Sequence, residues 1–341
     1  MESLQLFAIV GFLLAAYSIV ANDAIQTLGT FLASNSQRPW WVLWLYACSI
    51  LVAVMLYGYF AYGGDIAFDR LNSIPYPEGG VQWWHALPPL ILIFLTQFGI
   101  PVSTTFLVLT IFAMTGGAAT EGVLGNMLIK SALGYLVAFG AGAVVYLLVS
   151  RAWERWISNT SGQPLGIQWT VLQWLSTAFL WSQWLMQDLA NIFVFLPRNT
   201  EVVNGETIVT FSPTMLVMAT VVMMCLHAYV FATRGGEIQK IVLSKTNTTD
   251  IRAATMVDFI YGIILFVFKE VNDIPMSTTW VFLGLLAGRE LAITYIAGLR
   301  EKGAALGDVA TDIVRALFGL LISVILAFGV PYLATGNMPQ F

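Results

Sequence analysis

The sequence predicts an all-α polytopic membrane protein, with about 10–12 transmembrane segments arranged as two inverted repeats that contain broken helices. Three observations predict it. Apolar residues make up 58% of the 341 and charged residues only 10%, with a mean hydropathy of +0.79; soluble domains carry about 25% charge. Apolar runs such as 41–62, 215–232 and 313–330 reach or approach the roughly 20 residues a spanning helix needs, and they lack the every-second-residue alternation of a membrane barrel strand. Finally, one polar pattern occurs twice, in order. Asn22-Asp23 precedes Pro101-Val102-Ser103-Thr104-Thr105, and Gln187-Asp188 precedes Pro275-Met276-Ser277-Thr278-Thr279.

The repeats are expected at 1–150 and 170–341, joined by a loop at 151–169. Helical segments are expected at 4–33 (interrupted near Asn22), 41–62, 86–114 (interrupted at Gly99–Pro101), 122–149 and 171–196 (interrupted near Gln187). Those of the second half follow at 215–232, 256–268, 276–287, 292–299 and 313–333. The opening stretch is apolar but has no basic leader, Glu2 being the only charge before Asp23, and is expected to stay as the first helix. Loop 63–82 is acidic through Asp65, Asp69 and Glu78 against Arg70. Loop 233–253 carries Arg234, Lys240, Lys245 and Arg252 against Glu237 and Asp250. Basic loops remain in the cytoplasm, which puts the second loop and Arg38 inside, and the first loop and the N-terminus outside. Trp40, Trp41, Trp44, Trp83 and Trp84 fit the membrane–water interface.

Composition excludes several classes of function. The 15 Lys and Arg residues are scattered, which offers no surface for nucleic acid. Cys48 and Cys225 lie in apolar segments and read as isolated buried thiols. His85 and His227 are too few and too far apart for a metal site. No phosphate loop, nucleophile elbow or metalloprotease helix is present, so an enzyme is not expected.

The repeated patterns carry chemistry. Proline lacks an N–H and disfavours helix at the residue before it, so it fits the first turn of a new helix. Helices opening at Pro101 and Pro275 would place the hydroxyls of Ser103, Thr104, Thr105, Ser277, Thr278 and Thr279 beside unpaired backbone N–H groups. Helix starts of this kind hold anions, and two facing each other would hold an oxyanion without any arginine. Gln97 and Asn272 stand close enough in sequence to line the same site, and Lys269 with Glu270 reads as a local ion pair. Asp23 and Asp188 fall inside spanning segments, where a carboxylate costs about 2.5–3.5 kcal/mol and needs a partner. No Lys or Arg lies within a turn of either. Gln26 follows Asp23 by three residues and Asn191 follows Asp188 by three, so each pair shares a helical face. Asn22, Asp23, Gln26, Asp188 and Asn191 together offer the carboxylate, amide and carbonyl oxygens that suit Na+. A protonatable aspartate is the alternative. Duplicated polar breaks of this kind mark the midplane site of a secondary transporter.

With these residues the chain resembles the inorganic phosphate transporter family of sodium- or proton-coupled symporters, which includes some sulfate permeases. Its first motif, close to GANDVANxxGT, is similar to VANDAIQTLGT at Ala21, Asn22, Asp23, Gly29 and Thr30. The second copy matches LMQDLANIFVF at Asp188, Ala190 and Asn191. The family's PVSTTH motif is similar to Pro101–Thr105 and Pro275–Thr279. The resemblance implies inverted repeats, broken helices, and an oxyanion held by the six Ser and Thr hydroxyls, with cations on Asn22, Asp23, Asp188 and Asn191. It implies import of inorganic phosphate by Na+ symport across the inner or plasma membrane, with sulfate and H+ as the alternatives. An anion channel or non-transporting receptor on the same fold is the rival. A homodimer is compatible with such an architecture. The family's histidine is replaced by Phe106 and Trp280, its second Asn by Gln187, its Gly-Pro by Val194-Phe195, and a glutamate of the second helix is absent where this chain has Ser49. The reduced acidic complement leaves the coupling ion and its stoichiometry open.

Overall fold

A computed structural model describes residues 6–115, 123–245, 247–271 and 277–336. Helices dominate because a backbone in lipid must satisfy its own hydrogen bonds. The first half comprises α1 (Leu6–Ile19), a π-helical turn (Val20–Ala24), α2 (Ile25–Ser34), α3 (Trp40–Ala61), α4 (Leu87–Gln97), a second π-helical turn (Thr105–Leu109), α5 (Thr110–Thr115) and α6 (Val123–Asn159). The second half comprises α7 (Ile167–Phe193), a hairpin of β1 (Asn199–Val203) and β2 (Glu206–Thr210), α8 (Pro213–Ala232), the short α9 (Gln239–Leu243), α10 (Ile251–Val271), α11 (Thr278–Ala292) and α12 (Lys302–Thr335). Among the described residues, seven helical stretches are long and apolar enough to cross a membrane. The chain is an integral, multi-pass, all-α membrane protein.

The helix α7 is long enough to span, with 27 residues, but falls outside those seven stretches. The reason is its polar face. Gln173, Thr177, Asp188 and Asn191 lie on one side at helical spacing, and all are buried. The outer faces of the bundle instead expose large apolar residues such as Phe60, Leu148 and Leu333, as lipid requires.

Packing partners repeat between the halves. α1 packs on α4 as α7 packs on α10. α6 packs along α11, and α12 packs against the second π turn and α5. α3 and α8, which occupy equivalent places in order, pack on each other. Contact between α6 and α11 is backbone to backbone. A Cβ at Gly284 would stand 2.4 Å from the carbonyl oxygen of Tyr135, and one at Gly288 would stand 2.1 Å from that of Phe139. Small residues four apart allow that approach in membranes.

Several boundaries differ from expectation, each for a physical reason. The first segment is not broken at Asn22: α1 and α2 are continuous through the π turn, which widens the helix at that point. α7 runs uninterrupted past Gln187, whose amide donates to the carbonyl of Leu265 at 2.7 Å. The break at 98–103 is present, with Gly99 at φ +64. α6 extends well into the expected loop at 151–169, because Glu154 is buried in an ion pair with Arg289. α12 starts at Lys302 rather than 313, and two acidic residues of its first turns, Asp308 and Asp312, pair with Arg300 and Lys245. The β-hairpin was not expected; its turn is Asn204-Gly205, both at positive φ, a dipeptide that favours tight hairpins. Cys48 is buried as expected, but Cys225 is exposed on the outside of α8. Lys269 and Glu270 form the expected local pair, at 3.2 Å. The expected interfacial Trp41 and Trp83 are exposed, whereas Trp84 is buried against His85.

Candidate functional site

The two repeated patterns meet. Asp23 sits in the first π turn and Asp188 near the C-terminal end of α7, both fully buried. Around them the hydroxyls are exchanged between halves. Thr104 donates to Oδ2 of Asp23, and Thr279 donates to Oδ1 of Asp23 at 3.3 Å and to the carbonyl of Val102 at 3.2 Å. Asp188 is tied to Thr105 through Asn191, whose amide donates to both side chains. The Asp23 carboxylate is therefore held by one threonine from the motif of its own half and one from the other.

The amides follow the same rule. Gln26 Nε2 lies 3.5 Å from Oδ1 of Asp23 and donates to Oδ1 of Asn22 at 2.8 Å. Asn191 Nδ2 donates to Oδ1 of Asp188 at 2.8 Å and reaches Thr104 and Thr105 at 3.0 and 3.2 Å. Asn22 Nδ2 donates to the carbonyl of Val102 at 3.3 Å, which ties the π turn to the broken segment. Each amide three residues past its aspartate does share that carboxylate's face.

The serines stand at the caps of the helices rather than in their first turns. The helices do not open at proline. The first resumes at Thr104, with Ser103 accepting from the N–H of Phe106 at 3.3 Å. The second begins at Thr278, with Ser277 as its N-cap accepting from Trp280 at 3.2 Å. A serine at the cap satisfies an N–H that a helix start leaves unpaired, which shifts the start two residues past the proline's successor. Ser277 is itself anchored by donating its N–H to Ser131 at 2.8 Å. Both serines remain buried beside the threonines, with their own O–H groups still able to donate.

Gln97 is not brought to this cluster. It ends α4 with its side chain exposed, because the turn at 98–100 carries the chain inward only after it. Asn272 lies outside the described residues.

Several buried oxygens at the site accept no hydrogen bond from any described residue: Oε1 of Gln26, Oδ2 of Asp188 and Oδ1 of Asn191. Unfilled buried acceptors are costly, and all three belong to the residue types that coordinate hard cations. The donor set therefore fits Na+.

Two neighbours escaped the sequence. Tyr261 of α10 is buried and donates to the carbonyl of Thr278 at 3.0 Å, next to the start of α11. Asp258, one turn earlier, accepts from Thr30, from Thr177 at 2.5 Å and from Gln173 at 3.3 Å. Gln173 in turn accepts from Asn35 at 3.0 Å. An aspartate inside an apolar segment is the signal that singled out Asp23, and it applies equally to Asp258.

No protein-family model and no curated protein matches the chain. Among solved structures, the fold is similar to that of a sodium-dependent phosphate transporter. The likeness has a TM-score of 0.58 and covers 97% of this chain and 98% of that one, at 15% sequence identity. At that identity the likeness shows the fold alone.

Proposed function

We propose that this protein is a secondary active transporter that imports inorganic phosphate by symport with Na+, through alternating access around the cluster at Asp23 and Asp188. The observation that carries this function is the convergence of threonine hydroxyls from both halves on the buried carboxylate of Asp23, with Asp188 tied to Thr104 and Thr105 through Asn191. Two hydroxyls that can donate to an oxyanion, those of Thr104 and Thr279, are turned onto a carboxylate that binds a cation. Binding of one ligand therefore alters the other's partners.

A cation on Asp23 withdraws the lone pairs that Thr104 and Thr279 now use. Their O–H groups are released to donate to an incoming oxyanion, beside the capped starts at Ser103 and Ser277. Neutralising the carboxylates also lowers the repulsion an anion meets in a low-dielectric site. The cation binds first and the anion second, which is coupling.

In this account 1–150 and 170–341 are the repeats, crossing the membrane in opposite senses and rocking against each other. The matched packing of α1 on α4 and α7 on α10 supports that division. The basic 233–253 segment faces the cytoplasm of a cell membrane. The chain does no covalent chemistry.

The test is uptake of radiolabelled phosphate and sulfate into proteoliposomes, with inward Na+ or proton gradients, for the native chain and Asp23→Asn. Concentrative phosphate uptake that needs Na+ and fails in Asp23→Asn is the expected result. Sulfate uptake would replace the substrate, and uptake driven by protons alone would replace the coupling ion. Downhill flux without accumulation would make the protein a channel.

A further inference from the structure

The basic loop expected at 233–253 is folded back into the bundle for much of its length. Ile238, Gln239, Ile241, Val242 and Lys245 are buried, and α9 packs on α2. It stands one turn past the candidate site. Gln239 Nε2 donates to the carbonyl of Gly29 at 2.8 Å, and Gly29 follows Gln26 by three residues, on the same helical face. Glycine permits this approach, because a Cβ at Gly29 would lie 2.6 Å from Cγ2 of Val242. The chain turns inward after α8 through three successive left-handed residues, Arg234, Gly235 and Gly236, at φ 56, 85 and 61. Arg234 is held there by donating to the carbonyl of Arg38 at 2.8 Å. At the other end Lys245 bonds Asp312 of α12 at 2.6 Å. Between α9 and α12 lies a polar cavity of about 270 Å³, lined by Ser244 and Lys245, by Asp312, and by Gly99 of the first break.

We propose that the 234–245 segment is the inner gate of the site: a lid hinged at Gly235 and Gly236 and latched by Lys245 to Asp312, whose withdrawal opens the cluster at Asp23 to the polar cavity beside α12. The proposal rests on the transporter function put forward above. The lid is held lightly, as a moving part must be. A helix of five residues has little stability of its own. Among the described residues, one hydrogen bond ties α9 to α2, and Oε1 of the same Gln239 accepts none. Water entering the cavity meets that oxygen and solvates Lys245 and Asp312, so opening recovers part of what it breaks. Two adjacent glycines absorb the change in φ and ψ that the swing requires. Withdrawal of α9 uncovers α2 at Gly29, and the cavity it joins already reaches Gly99, where the segment carrying Ser103 and Thr104 begins.

The experiment starts from a chain carrying Cys48→Ala and Cys225→Ser. Gly29→Cys and Val242→Cys are combined in it, because a Cβ at Gly29 would stand 3.3 Å from that of Val242, close to the spacing of bridged cysteines. Phosphate uptake into proteoliposomes is expected to be lost when the pair is oxidised and to return on reduction, with the single-cysteine chains indifferent to oxidant. In a second chain Ile241→Cys, buried under the closed lid, reports opening through its rate of alkylation by a water-soluble maleimide. That rate is expected to rise about 10-fold when Asp312→Asn removes the charge from the latch. Alkylation decides the matter if the cysteine pair fails to transport when reduced. Oxidised protein, its cross-link verified by mass, that takes up phosphate at the reduced rate overturns the gate alone, as does alkylation that Asp312→Asn leaves unchanged. A native protein that accumulates neither phosphate nor sulfate overturns the transporter function and this proposal with it.

Discussion

The Thr104 hydroxyl donates to the carboxylate of Asp23, 81 residues upstream, and so joins a break in one membrane segment to a π turn in another. That single contact links the two ligand sites assigned to separate residues in the sequence. Thr104→Val removes the donor without changing the shape, and leaves one carboxylate lone pair buried and unmet. The expected cost is about 1–3 kcal/mol of stability, seen as a lower melting temperature, together with loss of Na+-dependent uptake. Thr104→Ser retains the hydroxyl and is expected to keep most of both. Equal behaviour of the valine and serine variants would refute the coupling role.

Much of this site was legible, because its signals are covalent and local. Proline and glycine mark a break wherever they fall, and an aspartate in an apolar run calls for partners. Which hydroxyl meets which carboxylate was not legible. That pairing depends on how the halves interlock, and no spacing along the chain encodes it. The caps at Ser103 and Ser277 were displaced from the prolines because a side-chain acceptor outweighs a favourable φ. The inward fold of 63–74 was hidden by composition. Asp65 and Arg70 look solvated beside Ile66, Phe68 and Leu71, yet both are buried, and the Asp65 carboxylate accepts from the N–H groups of Ala67 and Asp69. The charged ends of α6 and α12 were cut short for the same reason, since pairing makes a buried charge tolerable.

Backbone contact between α6 and α11 makes a sharp prediction about glycine. At Gly288 an alanine Cβ would sit 2.1 Å from the carbonyl oxygen of Phe139 and 2.8 Å from the amide nitrogen of Ala143. Neither atom belongs to a flexible side chain, so the helices must separate. Gly288→Ala is expected to cost about 1–3 kcal/mol or more. Gly140 on α6 has open space around its Cβ position, so Gly140→Ala gains helix propensity and stabilises by roughly 0.5–1 kcal/mol. Opposite shifts in melting temperature for the two alanines are the expected outcome.

Asp65 sets a pH dependence. Burial is the main cause that pushes its carboxyl up to about 6, with the Ala67 and Asp69 N–H groups opposing. The folded chain then holds a proton where the unfolded chain, with an aspartate near 3.8, has lost it. The sign follows: this stabilisation is complete below about pH 4 and is lost as pH rises through 6. The effect is of order 1–3 kcal/mol. Melting temperature is expected to fall between pH 5 and pH 7, and Asp65→Asn is expected to flatten that slope. An unchanged slope in the variant would assign the dependence elsewhere.

The last prediction concerns the ion cluster at the far end of α6. Arg289 bonds Glu154 at 2.9 Å and Glu290 at 3.1 Å, and all three side chains are fully buried. Glu154 is further tied to Asn247 at 2.8 Å, and Glu290 to Arg300 at 3.1 Å. The guanidinium also stands over the ring of Tyr146, 5.0 Å from its centre. Arg289→Met therefore strips the buried Glu154 of its cation and leaves Glu290 with Arg300, and is expected to cost about 3–5 kcal/mol. Glu154→Leu alone still leaves Arg289 with Glu290, so its cost is expected to be smaller. The two changes together remove a charge pair of opposite sign, and their combined cost is expected to fall well below the sum of the single costs, because residues in one network do not act independently. A double-mutant cycle on melting temperature reads that difference. Simple additivity would mean that α6 and α11 are held by their glycine contact alone, and that the cluster contributes charge without cohesion.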